Sequence, residues 1–232
     1  MKTRPVISPA TAPHPRGFAM PDLIVVVAVV CLLAAITITT TIAFREKSRQ
    51  NRCNDNLRKT TVAILGFAND NQKTLPAPAS PMDNVWWTYK EQVKSYAGLQ
   101  GPPSVNDTVF ACPSDRGYTD SKPFSRNPRF GFCSYVFNGV TLPGMPNIAG
   151  WKTTEVKQPD KTLLVMEFCA HAPFSWHYSK TGDRNMPFYN DAQSMTAFVD
   201  GHTAFTKIYY DGYNAAFTRD PVPGYTYKYS GN

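Results

Sequence analysis

Leu23-Ile24-Val25-Val26-Val27-Ala28-Val29-Val30-Cys31-Leu32-Leu33-Ala34-Ala35-Ile36 continues through a threonine-rich tail to Phe44 without one charged side chain. As an α-helix, residues 23–44 would rise about 33 Å, enough for the hydrocarbon core of a bilayer. Arg16-Gly17-Phe18-Ala19-Met20-Pro21-Asp22 precedes the run, and Arg45, Glu46, Lys47, Arg49 and Arg52 follow it. The composition predicts one membrane span near the N-terminus. Its flanks decide what kind of span it is.

Three readings compete. A cleaved secretory signal has an apolar region of roughly 7–15 residues ending in small residues; this run is longer, although Ala34-Ala35 keeps that reading open. A plain signal anchor needs only the apolar run. The third reading turns on Gly17-Phe18 and Asp22. A carboxylate at the edge of a membrane-depth helix is costly unless it is interfacial or paired. Cleavage between Gly17 and Phe18 would give Phe18 a new α-amino group and make Asp22 the fifth mature residue. Asp22 could then neutralise such an amine on a neighbouring copy.

Arg16-Gly17-Phe18, an acidic fifth residue and a long aliphatic run resemble the class III signal of type IV pilins and type II secretion pseudopilins. The resemblance implies cleavage after Gly17 by a prepilin peptidase and methylation of the Phe18 amine. It also implies pairing of Asp22 with the N-terminus of an adjacent subunit. Glutamate is usual in that family at the place of Asp22, and an aliphatic residue at that of Pro21. Proline is tolerated in a first helical turn, where its missing donor has no partner to lose.

A long helix continues beyond the span. Cys53, Leu57, Thr61, Ile64 and Ala68 recur at spacings of three and four, with Leu65 widening the face and Arg58 and Lys59 off it. Asn69-Asp70-Asn71 and Pro76 end the pattern. One helix over about residues 20–69 is expected, its first half membrane-compatible and its second half facing a globular core. Val85 to Tyr96 reads as a short helix whose Trp86, Trp87 and Tyr89 serve packing. Short strands are expected at Thr108–Cys112, Ser134–Asn138, Thr162–Phe168, Met195–Val199 and Thr203–Tyr210. The almost wholly apolar Thr162–Phe168 belongs in the middle of a sheet. Asp200-Gly201 marks a tight turn between the last two strands. The fold class is α+β: a long N-terminal helix on a mainly antiparallel sheet with long loops. The domains are a leader over 1–17, a transmembrane and stalk helix over 18–69, and an extracytoplasmic globular domain over 70–232.

Later patches extend the resemblance over residues 16–212. Cys53 with Asn56-Leu57-Arg58-Lys59, Phe110-Ala111-Cys112-Pro113-Ser114-Asp115, Ser134-Tyr135 with Asn138, and Phe198-Val199-Asp200-Gly201-His202 are similar to recurrent segments of a large planctomycete-type prepilin-like family of uncharacterised function.

The formal net charge of +7 would fall to +4 on loss of Lys2, Arg4 and Arg16 with the leader. Leader basics favour an N-terminus inside the inner membrane, but the Arg45–Arg52 cluster pulls the other way; the leader motif decides for N-inside. Loop residues Arg116, Lys122, Arg126 and Arg129 with Tyr118, Phe124 and Phe130 could form a nucleic-acid surface. They equally suit a solvated loop with aromatic anchors, and nucleic acid is not an expected partner.

Cys31 lies in the span. Cys53, Cys112, Cys133 and Cys169 are disulfide candidates in an oxidising compartment, with three complete pairings open. Cys112–Cys133 is favoured because it would close a Pro/Arg-rich loop. His171, His177, Asp200 and His202 offer transition-metal ligands but lack a close metal-binding spacing. Asp183, Asp191, Asp200 and Asp211, with Asn185 and Asn190, offer hard oxygen ligands that suit calcium, and related major pseudopilins brace a C-terminal loop with that ion. No nucleophile elbow supports Ser134 or Ser194 with His202 as a catalytic pair, so no enzyme activity is expected.

The expected function is a structural pseudopilin subunit of a type II secretion or type IV pilus-like filament. Its implied partners are prepilin peptidase, other pilin or pseudopilin copies and an inner-membrane assembly platform. The alternative is a membrane-anchored extracytoplasmic ligand-binding module that never polymerises.

Overall fold

The computed structural model describes residues 20–80, 83–118, 122–140, 142–170, 175–177, 192–209 and 220–232. Its elements are α1 (Met20–Asp70), α2 (Val85–Val93), β1 (Tyr135–Phe137), β2 (Leu163–Glu167), β3 (Ala192–Phe198) and β4 (Thr203–Ile208). Contacts divide the chain into two units, one ending at Arg45 and the other running from Glu46 to Asn232.

In the first unit, α1 exposes its aliphatic side chains on every side. The helix has the length and composition to cross a membrane. Its threonines do not spoil that property. Thr37, Thr40 and Thr41 donate to the carbonyls of Leu33, Ile36 and Thr37 at 2.9, 2.9 and 2.6 Å, and Thr39 donates to Ala35 at 3.1 Å. Each hydroxyl thus has an acceptor within the helix, as a lipid environment requires.

In the second unit, the remainder of α1 follows the expected stripe. Cys53, Leu57, Thr60, Thr61, Ala63, Ile64 and Ala68 are buried. Full burial of Leu57 or Ile64 contributes about 2 kcal/mol each. Asn84 caps α2 by accepting from the Trp86 N–H at 3.1 Å. Tyr89 is buried against Phe110 and Phe137, while Trp87 stacks on Phe168, so these aromatics pack the core.

The sheet is antiparallel, in the order β1-β2-β3-β4. Strand β2 is interior and buried at every residue, matching its apolar sequence. Strands β3 and β4 pair from Ala192 opposite Ile208 to Ala197 opposite Thr203. Their turn carries Gly201 at φ 95°, a conformation that favours glycine. Gly139 is needed for space: a Cβ there would sit 2.5 Å from Val85 Cγ1 and 2.6 Å from the Phe137 ring. The C-terminal segment is tied in by Asn138, whose Nδ2 donates to the Leu163 and Tyr229 carbonyls at 2.7 and 2.8 Å. The fold is therefore α+β, a long N-terminal helix with a four-stranded antiparallel sheet, an arrangement consistent with pilin-like architecture.

The expected strand at Thr108–Cys112 is instead a 3₁₀ turn over Thr108–Phe110. Asp107 starts it, accepting the Ser104 N–H through its carboxylate and the Phe110 N–H through its carbonyl. Helix α1 then takes the carbonyls a strand would have used. Asn56 Nδ2 donates to Thr108 and Ala111 at 3.0 and 2.8 Å, and Thr60 donates to Val109 at 3.3 Å.

Candidate functional site

The expected processing edge is described only in part. Gly17 and Phe18 lie outside the described residues. Asp22 stands exposed in the first turn of α1, where a negative charge complements the helix dipole.

The second unit contains a cluster of polar groups in its interior. It forms where α1, the 108–112 turn, β2 and the segment 175–177 meet. The side chains of Glu167, at the end of β2, and His177 are 0% and 1% exposed. His177 Nε2 lies 2.8 Å from Glu167 Oε1, and the Met195 N–H donates to Oε2 at 2.9 Å. The other ring nitrogen, Nδ1, faces Glu46 Oε1 at 3.9 Å. Against this pair lies a disulfide between Cys53 and Cys112. Cys112 Sγ is 3.2 Å from Glu167 Oε1 and 3.8 Å from His177 Nε2. One potential ligand atom from each of Cys53, Cys112, Glu167 and His177 falls within 4.8 Å of every other.

This pairing corrects the expected Cys112–Cys133 bridge. Cys53 sits on the buried stripe of α1, and the bonds from Asn56 and Thr60 draw the 108–112 turn onto that helix. Tyr135 Oη adds a bond to the Cys53 carbonyl at 2.9 Å. Cys133 is buried elsewhere, with Sγ 2.9 Å from the Tyr135 carbonyl and 3.6 Å from Tyr89 Oη. Cys169 lies 3.2 Å from Ser194 Oγ. Both are free thiols.

Asp115 organises the neighbouring loop. Oδ1 accepts the Gly117 and Phe124 N–H groups at 2.9 and 3.1 Å, and Oδ2 accepts the Ser125 N–H and Ser134 hydroxyl at 2.8 and 2.7 Å. Burial nonetheless holds its carboxyl above the usual range, outweighing these bonds. Ser134 also accepts the Cys112 N–H at 3.0 Å, so its hydroxyl is engaged in fixing the loop. Beside the loop opens a cleft of about 870 Å³, bordered by Arg52, Asn56, Cys112, Asp115 and Arg126. Phe124 stacks on Phe168 with ring centroids 4.2 Å apart, and Phe130 meets Phe124 edge to face at 4.7 Å.

Asp200 and His202 lie apart at the β3–β4 turn. Asp200 Oδ1 accepts the His202 N–H at 3.1 Å and lies 2.7 Å from its Nδ1. The His202 ring stacks on Phe198 at 4.2 Å. Of the calcium candidates only Asp200 is described; Asp183, Asp191 and Asp211, with Asn185, Asn190 and His171, lie outside the described residues.

Neither Glu167 nor Glu46 belongs to a motif that would mark it. The available signal for Glu167 is a single acid closing an apolar strand, since glutamate is seldom fully buried without a partner. No protein-family model matches the chain, and neither the curated proteins nor the solved structures provide a match.

Proposed function

We propose that the chain is a structural prepilin-like subunit of a type II secretion or type IV pilus-like filament. The observation that carries this reading is the change of character along α1. Its first half is apolar and exposed with Asp22 at its head, whereas its second half buries one stripe in a folded domain. Such a helix suits lateral packing against copies of itself in a membrane and then in a filament. Insertion would leave the leader inside and the sheet domain on the extracytoplasmic side of the inner membrane. Prepilin peptidase would cut after Gly17, and Asp22 would neutralise a neighbour's Phe18 amine as the assembly platform adds subunits.

Substitution Asp22→Ala tests the reading. Membrane insertion is expected to persist while incorporation into filaments is lost. Undiminished incorporation would overturn the role of Asp22. The cleft bordered by Arg52 and Arg126 favours one alternative, a membrane-anchored ligand-binding module. For such a module the same substitution would leave ligand binding unchanged, and no filament would form with either chain.

A further inference from the structure

We infer that Cys53, Cys112, Glu167 and His177 form a redox-gated site for a divalent transition metal of the zinc class, closed as the disulfide and open as the dithiol. The donor set is two sulfurs, one imidazole nitrogen and one carboxylate oxygen, all from buried residues. That combination suits four-coordinate zinc. Tetrahedral zinc with ordinary bond lengths places its ligand atoms about 3.3 to 3.8 Å apart. The separations here are 3.2 Å for Cys112 Sγ to Glu167 Oε1, 3.8 Å for Cys112 Sγ to His177 Nε2 and 2.8 Å for His177 Nε2 to Glu167 Oε1. Three corners of the polyhedron are therefore close to assembled. Release of the disulfide frees Cys53 Sγ to separate and supply the fourth.

The contact between Glu167 and Cys112 is the telling one. A disulfide sulfur carries no hydrogen, so the carboxylate at 3.2 Å receives no hydrogen bond from it. In the oxidised chain this is an oxygen lone pair against a sulfur lone pair. In the reduced chain the same atoms can share a proton or a metal ion. Glu46 stands behind the imidazole, 3.9 Å from His177 Nδ1, the side from which carboxylates orient metal-binding histidines. Access comes from the open cleft, which Cys112 borders.

The chemistry balances with a dithiol as reductant. Its two thiols pass two electrons and two protons to the Cys53–Cys112 bond, giving two protein thiols and the reductant's own disulfide. Metal binding then displaces both thiol protons, and the proton held between His177 Nε2 and Glu167 Oε1 passes to Nδ1, on the side of Glu46, so that Nε2 can ligate. With Glu167 ionised and His177 neutral, the oxidised site holds one net negative charge. The loaded site also holds one, since a divalent cation balances two thiolates. Gating therefore adds no net charge to the interior, where an added charge would be costly. Reoxidation by an external disulfide, which takes up the two electrons and leaves as two thiolates, restores the Cys53–Cys112 bond, removes two ligands and expels the ion.

The test uses the full chain in detergent with cobalt(II) as a spectroscopic probe and a phosphine as a reductant that is itself not a thiol. The oxidised chain is expected to bind no cobalt at this site. After reduction it should bind one equivalent with a thiolate-to-cobalt charge-transfer band, and zinc should displace the cobalt. Glu167→Gln and His177→Ala should each weaken binding by at least about tenfold. The free thiols Cys31, Cys133 and Cys169 are present in both redox states, so the difference between states isolates Cys53 and Cys112. Near-ultraviolet circular dichroism of the reduced, zinc-loaded wild type should match that of the oxidised chain. Absence of cobalt binding after reduction, unchanged affinity in both folded variants, or unfolding of the reduced chain despite zinc would each overturn the site. The wild-type comparison decides the matter if either variant does not fold.

Discussion

His177 Nε2 lies 2.8 Å from Glu167 Oε1 in the interior of the sheet domain, and the second oxygen of that carboxylate holds the Met195 N–H. One side chain thus links β2, β3 and the 175–177 segment. Glu167→Leu would remove the carboxylate partner of His177 Nε2 and of the buried Met195 N–H, each worth about 1–3 kcal/mol. Chemical denaturation of the detergent-solubilised chain should show a loss of about 2–5 kcal/mol. A change within about 0.5 kcal/mol, the range of ordinary surface substitutions, would contradict this role.

Lys90 and Asp107 make a second buried linkage. Lys90 Nζ sits 2.7 Å from Asp107 Oδ2 and 2.6 Å from the Gly131 carbonyl, with side-chain exposures of 1% and 7% for the pair. Burial alone pushes the Asp107 carboxyl up, but Lys90, the Ser104 N–H and the charge of Lys94 together hold it below the usual range. A depressed carboxyl contributes stability above its unfolded value, near about 3.9, and loses that contribution as pH falls through the lower folded value. Asp107→Asn should therefore cost about 3–5 kcal/mol at neutral pH by leaving the ammonium buried without its counter-charge. The gap from wild type should narrow in acid below that carboxylate range, as Asp107 itself becomes neutral. A gap that stays constant down to about pH 2, below the carboxylate range, would exclude the ion pair as its source.

The cysteines separate into linked and free sets. Non-reducing peptide mapping should recover Cys53 joined to Cys112; a Cys112–Cys133 peptide would contradict the structure. The bridge spans 59 residues of sequence, so Cys53→Ser with Cys112→Ser should lower stability by about 4 kcal/mol through the chain entropy of the unfolded state. Burial pushes the Cys133 thiol up to about 11 and raises Cys169 strongly, helped in the latter by the charge of Glu167. Both should resist alkylation in the folded chain and react once it is unfolded.

Elements with a local pattern were legible in the sequence. The three-and-four spacing from Cys53 to Ala68 gives the buried stripe of α1, and the apolar Leu163–Met166 run gives an interior strand. Asp200-Gly201 gives the hairpin. Thr108–Cys112 misled because its β-favouring residues are held by Asn56 and Thr60, more than forty residues upstream. The disulfide was misplaced for the same reason. The Pro/Arg-rich loop that a Cys112–Cys133 bridge would close suggested Cys133, but the helix supplies Cys53, 59 residues from Cys112 in sequence. Glu167 and His177 are ten residues apart and join through tertiary packing that no short spacing encodes.

Intact mass and N-terminal sequencing of the chain extracted from its native membrane test the central proposal most directly. A mature chain beginning at Phe18 with a methylated α-amine is the expected result. A chain that still begins at Met1 would contradict it and leave α1 as a plain membrane anchor.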